Sequence, residues 1–124
     1  MTADRLFLVI AGVFGFLAVA GGAFGAHALR ERVTPESLAA FETGVRYHMY
    51  HTLALVAVGL LLGRSSASQL VWAGWLFVIG TAIFSGSLYL LTLTGTRWWG
   101  AVTPIGGVAL LAGWGTFVWG VIRS

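Results

Sequence analysis

The chain contains no cysteine and no lysine, only 2 prolines, and few charges: 9% of its 124 residues are charged. Without thiols there is no disulfide framework, thiol nucleophile, zinc ribbon or iron-sulfur ligand set. The scarcity of charge excludes a soluble domain, in which roughly 25% of residues are charged. Basic charge comes from arginine alone, at positions 5, 30, 32, 46, 64, 97 and 123. These arginines sit at the ends of apolar runs and form none of the clustered stripes that a nucleic-acid backbone requires. They fit anchoring at lipid headgroups.

What the chain does have is apolar length. Hydrophobic residues make up 58% of it, its mean hydropathy is +0.90, and the apolar residues fall into four runs of membrane-crossing length. The expected fold is all-α, an integral membrane four-helix bundle occupying residues 1–124 as one four-span domain. Expected spans are 6–28, 47–63, 70–93 and 103–122. Span one, Leu6 to Ala28, has no ionisable group before His27 and reaches roughly 34 Å as a helix. Arg5 followed by Ala26-His27-Ala28 also fits a cleaved signal peptide. The run exceeds a signal's short apolar core and is rich in glycine, so a retained span is expected.

The second span is preceded by its own helix start. Thr34 is a candidate N-cap, with Pro35 at the first helical position and Glu36 in the first turn. From Pro35 to Gly63 such a helix reaches roughly 43 Å, longer than a hydrocarbon core of about 30 Å. Residues 35–46 are therefore expected to form an interfacial amphipathic segment, with Glu42 and Arg46 an ion pair at i, i+4. Thr103-Pro104 is expected to open the last helix as cap and first residue. Trp72, Trp75 and Trp119 mark one headgroup level, and Trp98 with Trp99 the other. The arginines divide three against four between the two sides, so they set no orientation.

The 18 glycines imply close helix approach, since each weakens a helix unless a neighbouring backbone comes near. In span one Ala11, Gly15, Ala18, Gly22 and Ala26 recur about every fourth residue, and Gly21 with Gly25 makes a GxxxG. Gly113 repeats the theme in span four. Tight packing within one bundle is the first reading of these positions. A homo-oligomer or another membrane protein using the same groove is the alternative.

Ionisable groups within spans are candidates for function. The candidate polar cluster is His27, Tyr47, His48, His51, Ser85 and Tyr89, which opposed helix directions place in one leaflet. His48 and His51 share a helix face, and Thr81, Ser85, Tyr89 and Thr92 form one stripe on span three. An interhelical hydrogen-bond network is the first reading of this cluster. A small-molecule, lipid or ion pathway is the second. Metal or haem ligation is the third, although an HxxH spacing alone is common and no CxxCH occurs. A hydrolytic or transfer enzyme comes last, because no GxSxG, HExxH or Walker-type loop is present to organise Ser85, Ser87 or Glu42. No catalytic residue, metal or cofactor is assigned. The expectation is a non-enzymatic chain whose sure partner is the lipid bilayer.

Five stretches carry a family resemblance: residues 22–29 (GAFGAHAL), 41–55 (FETGVRYHMYHTLAL), 84–91 (FSGSLYLL), 103–107 (TPIGG) and Gly113-Trp114. Together they resemble the small membrane proteins of domain of unknown function family 423, the YgdD and YwdK-like group, to which eukaryotic transmembrane protein 256 is also similar. The resemblance covers essentially the whole chain. It implies a four-span protein of the bacterial inner (plasma) membrane with no settled biochemical activity. It carries His27, Tyr47, His51, Ser85, Tyr89 and Pro104 over as parts of the family pattern. His48 departs from that pattern, where glutamine often stands, which weakens any mechanism needing three imidazoles. The function so implied is a membrane-structural or accessory role in envelope integrity or a partner complex. The alternative is a small transporter or ligand-binding protein using the cluster.

Overall fold

A computed structural model describes residues 1–124, and every regular element in it is helical. The order is α1 (Ala3–Ala20), a π-helical turn (Gly21–Gly25), α2 (Ala26–Leu29), α3 (Pro35–Leu62), α4 (Ser68–Thr94) and α5 (Trp98–Arg123). α1, the π turn and α2 run on as one span, and all four resulting helices are long and apolar enough to cross a membrane. The chain is thus an all-α integral membrane bundle. In lipid each backbone N–H and C=O must find its partner within its own helix, which is why only short turns separate these rods.

Local signals explain the ends. The Thr34 hydroxyl accepts a hydrogen bond from the Ser37 N–H at 3.2 Å, capping α3, and Pro35 fills the first helical position, where no N–H is needed. α4 stops at Gly95, which adopts φ +69°, a left-handed conformation open to glycine at little cost. Only Gly95, Thr96 and Arg97 then separate α4 from α5.

The expected start of the last helix at Thr103-Pro104 is corrected. α5 begins at Trp98 and carries Pro104 inside its second turn. With no N–H, Pro104 makes no bond back to the Gly100 carbonyl. The helix forms across it because Trp98–Gly100 already supply the first turn and Thr103 bonds back to Trp99.

Neighbours along the chain pack side by side: α1 on α3, α3 on α4, α4 on α5. The α4–α5 seam is the tightest. Leu70, Phe77 and Phe84 recur every seven residues on α4, as Gly120, Gly113 and Gly106 do on α5, and each large side chain meets one glycine. A Cβ placed on Gly113 would lie 2.8 Å from the Phe77 ring, one on Gly120 2.8 Å from Leu70, and one on Gly106 2.7 Å from the Phe84 Cα. The exchange reverses once, where Gly80 of α4 receives Leu110 of α5. This is a seven-residue knobs-into-holes register with glycines as the holes.

Span one uses its small residues on α3. Ala11 and Ala18 are buried there. Gly15 faces Thr52, Gly22 faces Val45, and Gly25 faces the Phe41 ring. Gly21 and Gly25, the GxxxG pair, fall within the π turn, and their groove is covered by α3 of the same chain. The apolar core gathers towards the end that holds both termini: Phe7, Ala11, Ala54, Leu55, Val58, Ala73, Phe77 and Leu110. Phe7 belongs to span one, so cleavage after Ala28 would remove a fully buried ring from that core.

Candidate functional site

The other half of the bundle holds the polar residues. α3 is 28 residues long, and residues 35–46 are its first turns, continuous with the rest. They pack lengthwise on the end of α4, where the Thr92 hydroxyl reaches the Ser37 carbonyl at 3.1 Å. Phe41 and Gly44 are buried in this stretch. Glu42 and Arg46 lie on its outer side, both well exposed, at 3.9 Å, a spacing that contributes little stability.

His51 sits in the middle of α3 and is 4% exposed. Its Nδ1–H donates to the Tyr47 carbonyl at 2.7 Å, and its Nε2 accepts from the Trp114 indole N–H at 3.0 Å. Those two bonds select one neutral tautomer and use both ring nitrogens. The Phe77 and Trp114 rings close around it, their centroids 5.6 and 5.9 Å from the imidazole. A metal or porphyrin iron could reach this imidazole only by breaking the bond to Trp114.

One turn earlier on α3, the buried His48 shares a 2.9 Å hydrogen bond between its Nδ1 and the Tyr89 hydroxyl, and the Phe14 ring of α1 stands edge-on to it at 5.3 Å. Ser85 donates to the Gly44 carbonyl at 2.6 Å. This contact is allowed because Gly44 has no side chain: a Cβ there would lie 3.0 Å from the Tyr89 ring. At the far end of the α4–α5 seam the hydroxyls of Ser87 and Thr103 are 2.6 Å apart. The expected stripe on α4 thus faces α3 through Ser85, Tyr89 and Thr92.

Two of the cluster's members stand apart. His27 is exposed near the end of α2, in a surface depression with Arg30, Glu31 and Arg32. The Gly22–Val45 pairing sets the α1–α3 register, and by it His27 lies roughly 12 Å along the bundle from His48. The grouping of His27 with His48 and His51 is corrected accordingly. The π turn takes an extra residue into the winding, so the face that a regular helix would assign to His27 is rotated away. Tyr47 is 39% exposed; its carbonyl serves His51, while its ring leans on Phe84 at 4.7 Å.

Trp114 is the participant that residue-type reasoning missed. Its indole looks like one more aromatic in an apolar helix, and the signal for it was the Gly113-Trp114 stretch of the family resemblance. α3 and α5 both pack on α4, and a groove of about 630 Å³ opens between them. Tyr47, Tyr50, Phe84, Val108, Leu111 and Trp114 line it. No three His, Asp or Glu side chains come close enough together to hold a metal ion.

The sequence model of the family described as Protein of unknown function (DUF423) matches residues 21–107, from the π turn to just past Pro104. The chain belongs to that family. Within DUF423 it is similar to the UPF0382 inner membrane protein YgdD of Escherichia coli (strain K12), 40% identical over 120 residues, which cover 97% of this chain and 92% of that protein. It is 41% identical over 119 residues to the UPF0382 membrane protein SSP2132 of Staphylococcus saprophyticus, covering 96% and 98% of the two chains. No solved structure matches it. This DUF423 member is a multi-pass protein of the inner (plasma) membrane, and its matched region contains His27, His48, His51, Ser85 and Tyr89 but not Trp114.

Proposed function

We propose that this DUF423 protein is a non-enzymatic structural or accessory component of the inner membrane, supporting envelope integrity or a partner complex. Its polar cluster serves to join helices. The observation that carries this reading is the saturation of His51: both ring nitrogens are spent on Tyr47 and Trp114 inside the bundle. An imidazole so fixed has no nitrogen left for a substrate, a proton or a metal. Ser85, the nearest candidate nucleophile, donates its hydrogen to the Gly44 carbonyl, and no hydrogen bond joins it to a base.

The test compares His51→Gln with His51→Leu in the full chain, purified in lipid. Glutamine can still donate to a carbonyl and accept from the indole, so that variant keeps the wild-type unfolding midpoint. The leucine variant loses stability. A glutamine variant that stays folded but loses a bound molecule would overturn the reading.

A second reading, a ligand-binding or transport protein, is favoured by the aromatic groove between α3 and α5. A volume of about 630 Å³ is within the range of small-molecule sites, which are mostly apolar with a few polar groups. The groove contains no charged residue, so its ligand would be neutral and drawn from the lipid phase. Native mass spectrometry of protein extracted gently from its own membrane separates the readings. A reproducible added mass, lost when Val108→Trp fills the groove, supports binding. A bare mass favours the structural role.

A further inference from the structure

Six of the seven arginines sit at helix ends or in connections, whereas Arg46 lies well inside α3 and is turned outward. Val45 beside it packs on Gly22 of the π turn. From that level span one stays apolar for five more residues, roughly 7 Å, until His27. α4 likewise continues past the level of Gly44 and Tyr89 with Leu90, Leu91 and Leu93. The arginine therefore leaves its helix inside the apolar zone, on a side chain that is 59% exposed. A helical side chain leans towards the helix N-terminus, which here is the headgroup end, so the guanidinium reaches towards Glu42 and the membrane surface. Its contact with that carboxylate, at 3.9 Å, is the only ion pair in the chain and is too long for a hydrogen bond. A charged group so placed draws polar partners from the bilayer itself.

The surroundings indicate which partner fits. On the α1 side of Arg46 a notch of about 240 Å³ is lined by Gly22, Ala26, Glu42 and Val45, about eight times the volume of a water molecule. It stays open because Gly22 and Ala26 carry almost no side chain. Along the outward face of α3 the residues follow as Glu42, Arg46, Tyr50 and Leu53, at offsets of four, four and three. Tyr50 is 54% and Leu53 61% exposed. From the headgroup end inward, this face presents a carboxylate, a guanidinium, a phenol and then hydrocarbon. A phospholipid whose headgroup ends in a primary amine has the complementary order: ammonium, phosphodiester, glycerol ester, acyl chain. The guanidinium matches the phosphate, the carboxylate accepts from the ammonium, and the phenol donates to an ester carbonyl. Glu42 decides the class. It repels a purely anionic headgroup, and a quaternary ammonium has no N–H to give it.

We propose that the outward face of α3 beside the π turn is a binding site for a phospholipid of the phosphatidylethanolamine type, with Arg46 on its phosphate and Glu42 on its ammonium. The notch at Gly22 and Ala26 receives the headgroup, and the acyl chains lie along Tyr50 and Leu53. The site is on the lipid-facing side of α3, away from the His51–Trp114 bond, so it does not depend on the structural reading above.

Native mass spectrometry tests the proposal on the full-length chain, purified and offered equal amounts of phosphatidylethanolamine, phosphatidylcholine and phosphatidylglycerol with identical acyl chains. The ethanolamine lipid should be retained severalfold more than either of the others. Equal retention of all three, as non-specific surrounding lipid gives, would overturn the proposal, and so would a preference for either of the other two. Arg46→Gln should abolish the preference. Glu42→Gln should lower the ethanolamine lipid to the level of the choline lipid and raise the glycerol lipid, because the repelling charge is gone. Either variant keeping the wild-type preference would overturn the assignment of its residue and the proposal with it. Both side chains are exposed and their pair contributes little, so both variants should unfold in detergent close to the wild-type midpoint. Ala26→Leu fills the notch without altering charge and should reduce retention of the ethanolamine lipid severalfold. Unchanged retention there would show that the headgroup is not seated in the notch, which also overturns the proposal.

Discussion

The indole N–H of Trp114 in α5 donates to Nε2 of His51 in α3 across 3.0 Å, linking two helices that both pack on α4. The bond closes the third side of a triangle of helices and forms the inner end of the aromatic groove. It also fixes the proton of His51 on Nδ1, facing the Tyr47 carbonyl. Deleting the donor should therefore be felt on α3 as well as on α5.

Trp114→Phe keeps a ring against Phe77 and removes only the N–H, leaving His51 Nε2 without its donor. Interhelical hydrogen bonds in membranes contribute about 0.6 kcal/mol on average and up to about 1.7. Unfolding of the variant in lipid should show a loss within that range. His51→Leu, which strands the indole N–H, should lose a similar amount, and the double variant should lose less than the sum of the two.

Gly106→Ala should be among the most damaging single-methyl additions in the chain. Its new Cβ would lie 2.7 Å from the Phe84 Cα, and backbone cannot move aside as the end of a side chain can. The α4–α5 seam must open, with an expected loss of about 1–3 kcal/mol. Gly115→Ala is the control. No atom lies within 4 Å of its Cβ position, and alanine is the better helix former by about 1 kcal/mol. Parallel denaturation curves should move in opposite directions.

His48→Gln should be close to silent, because the amide can still bond the Tyr89 hydroxyl that now meets Nδ1 at 2.9 Å. His48→Ala and Tyr89→Phe should each destabilise the bundle. A double-mutant cycle should return a coupling of about 0.5–1.7 kcal/mol between them. Zero coupling would show that the pair contributes nothing to the fold.

Ser85→Ala removes the 2.6 Å bond to the Gly44 carbonyl. That carbonyl keeps its intrahelical partner, so the expected loss is modest, about 1 kcal/mol.

Much of the architecture was legible along the chain because the bilayer acts on each span separately. Apolar length, the Thr34-Pro35 start and the tryptophan levels are local properties of single helices. Pro104 misled for the same reason: at a first helical position it needs no partner, so the residues around it do not say whether one more turn lies upstream. The seven-residue spacing of Leu70, Phe77 and Phe84, and of Gly106, Gly113 and Gly120, was also present in the sequence. Which large residue meets which glycine depends on the register that the three-residue turn at Gly95 imposes.

The sequence by itself determined that this is a four-span, all-α membrane protein with its polar side chains on α3 and α4, because hydropathy and helical period are fixed residue by residue. Only the tertiary structure decided which of those groups meet. His51 found Trp114, His48 found Tyr89, His27 was left at the surface, and Thr81 was left facing a crevice. Such pairings depend on the rotation and axial register of whole helices, to within about one turn. A single extra residue in the π turn of span one changes that rotation without changing the composition of the chain.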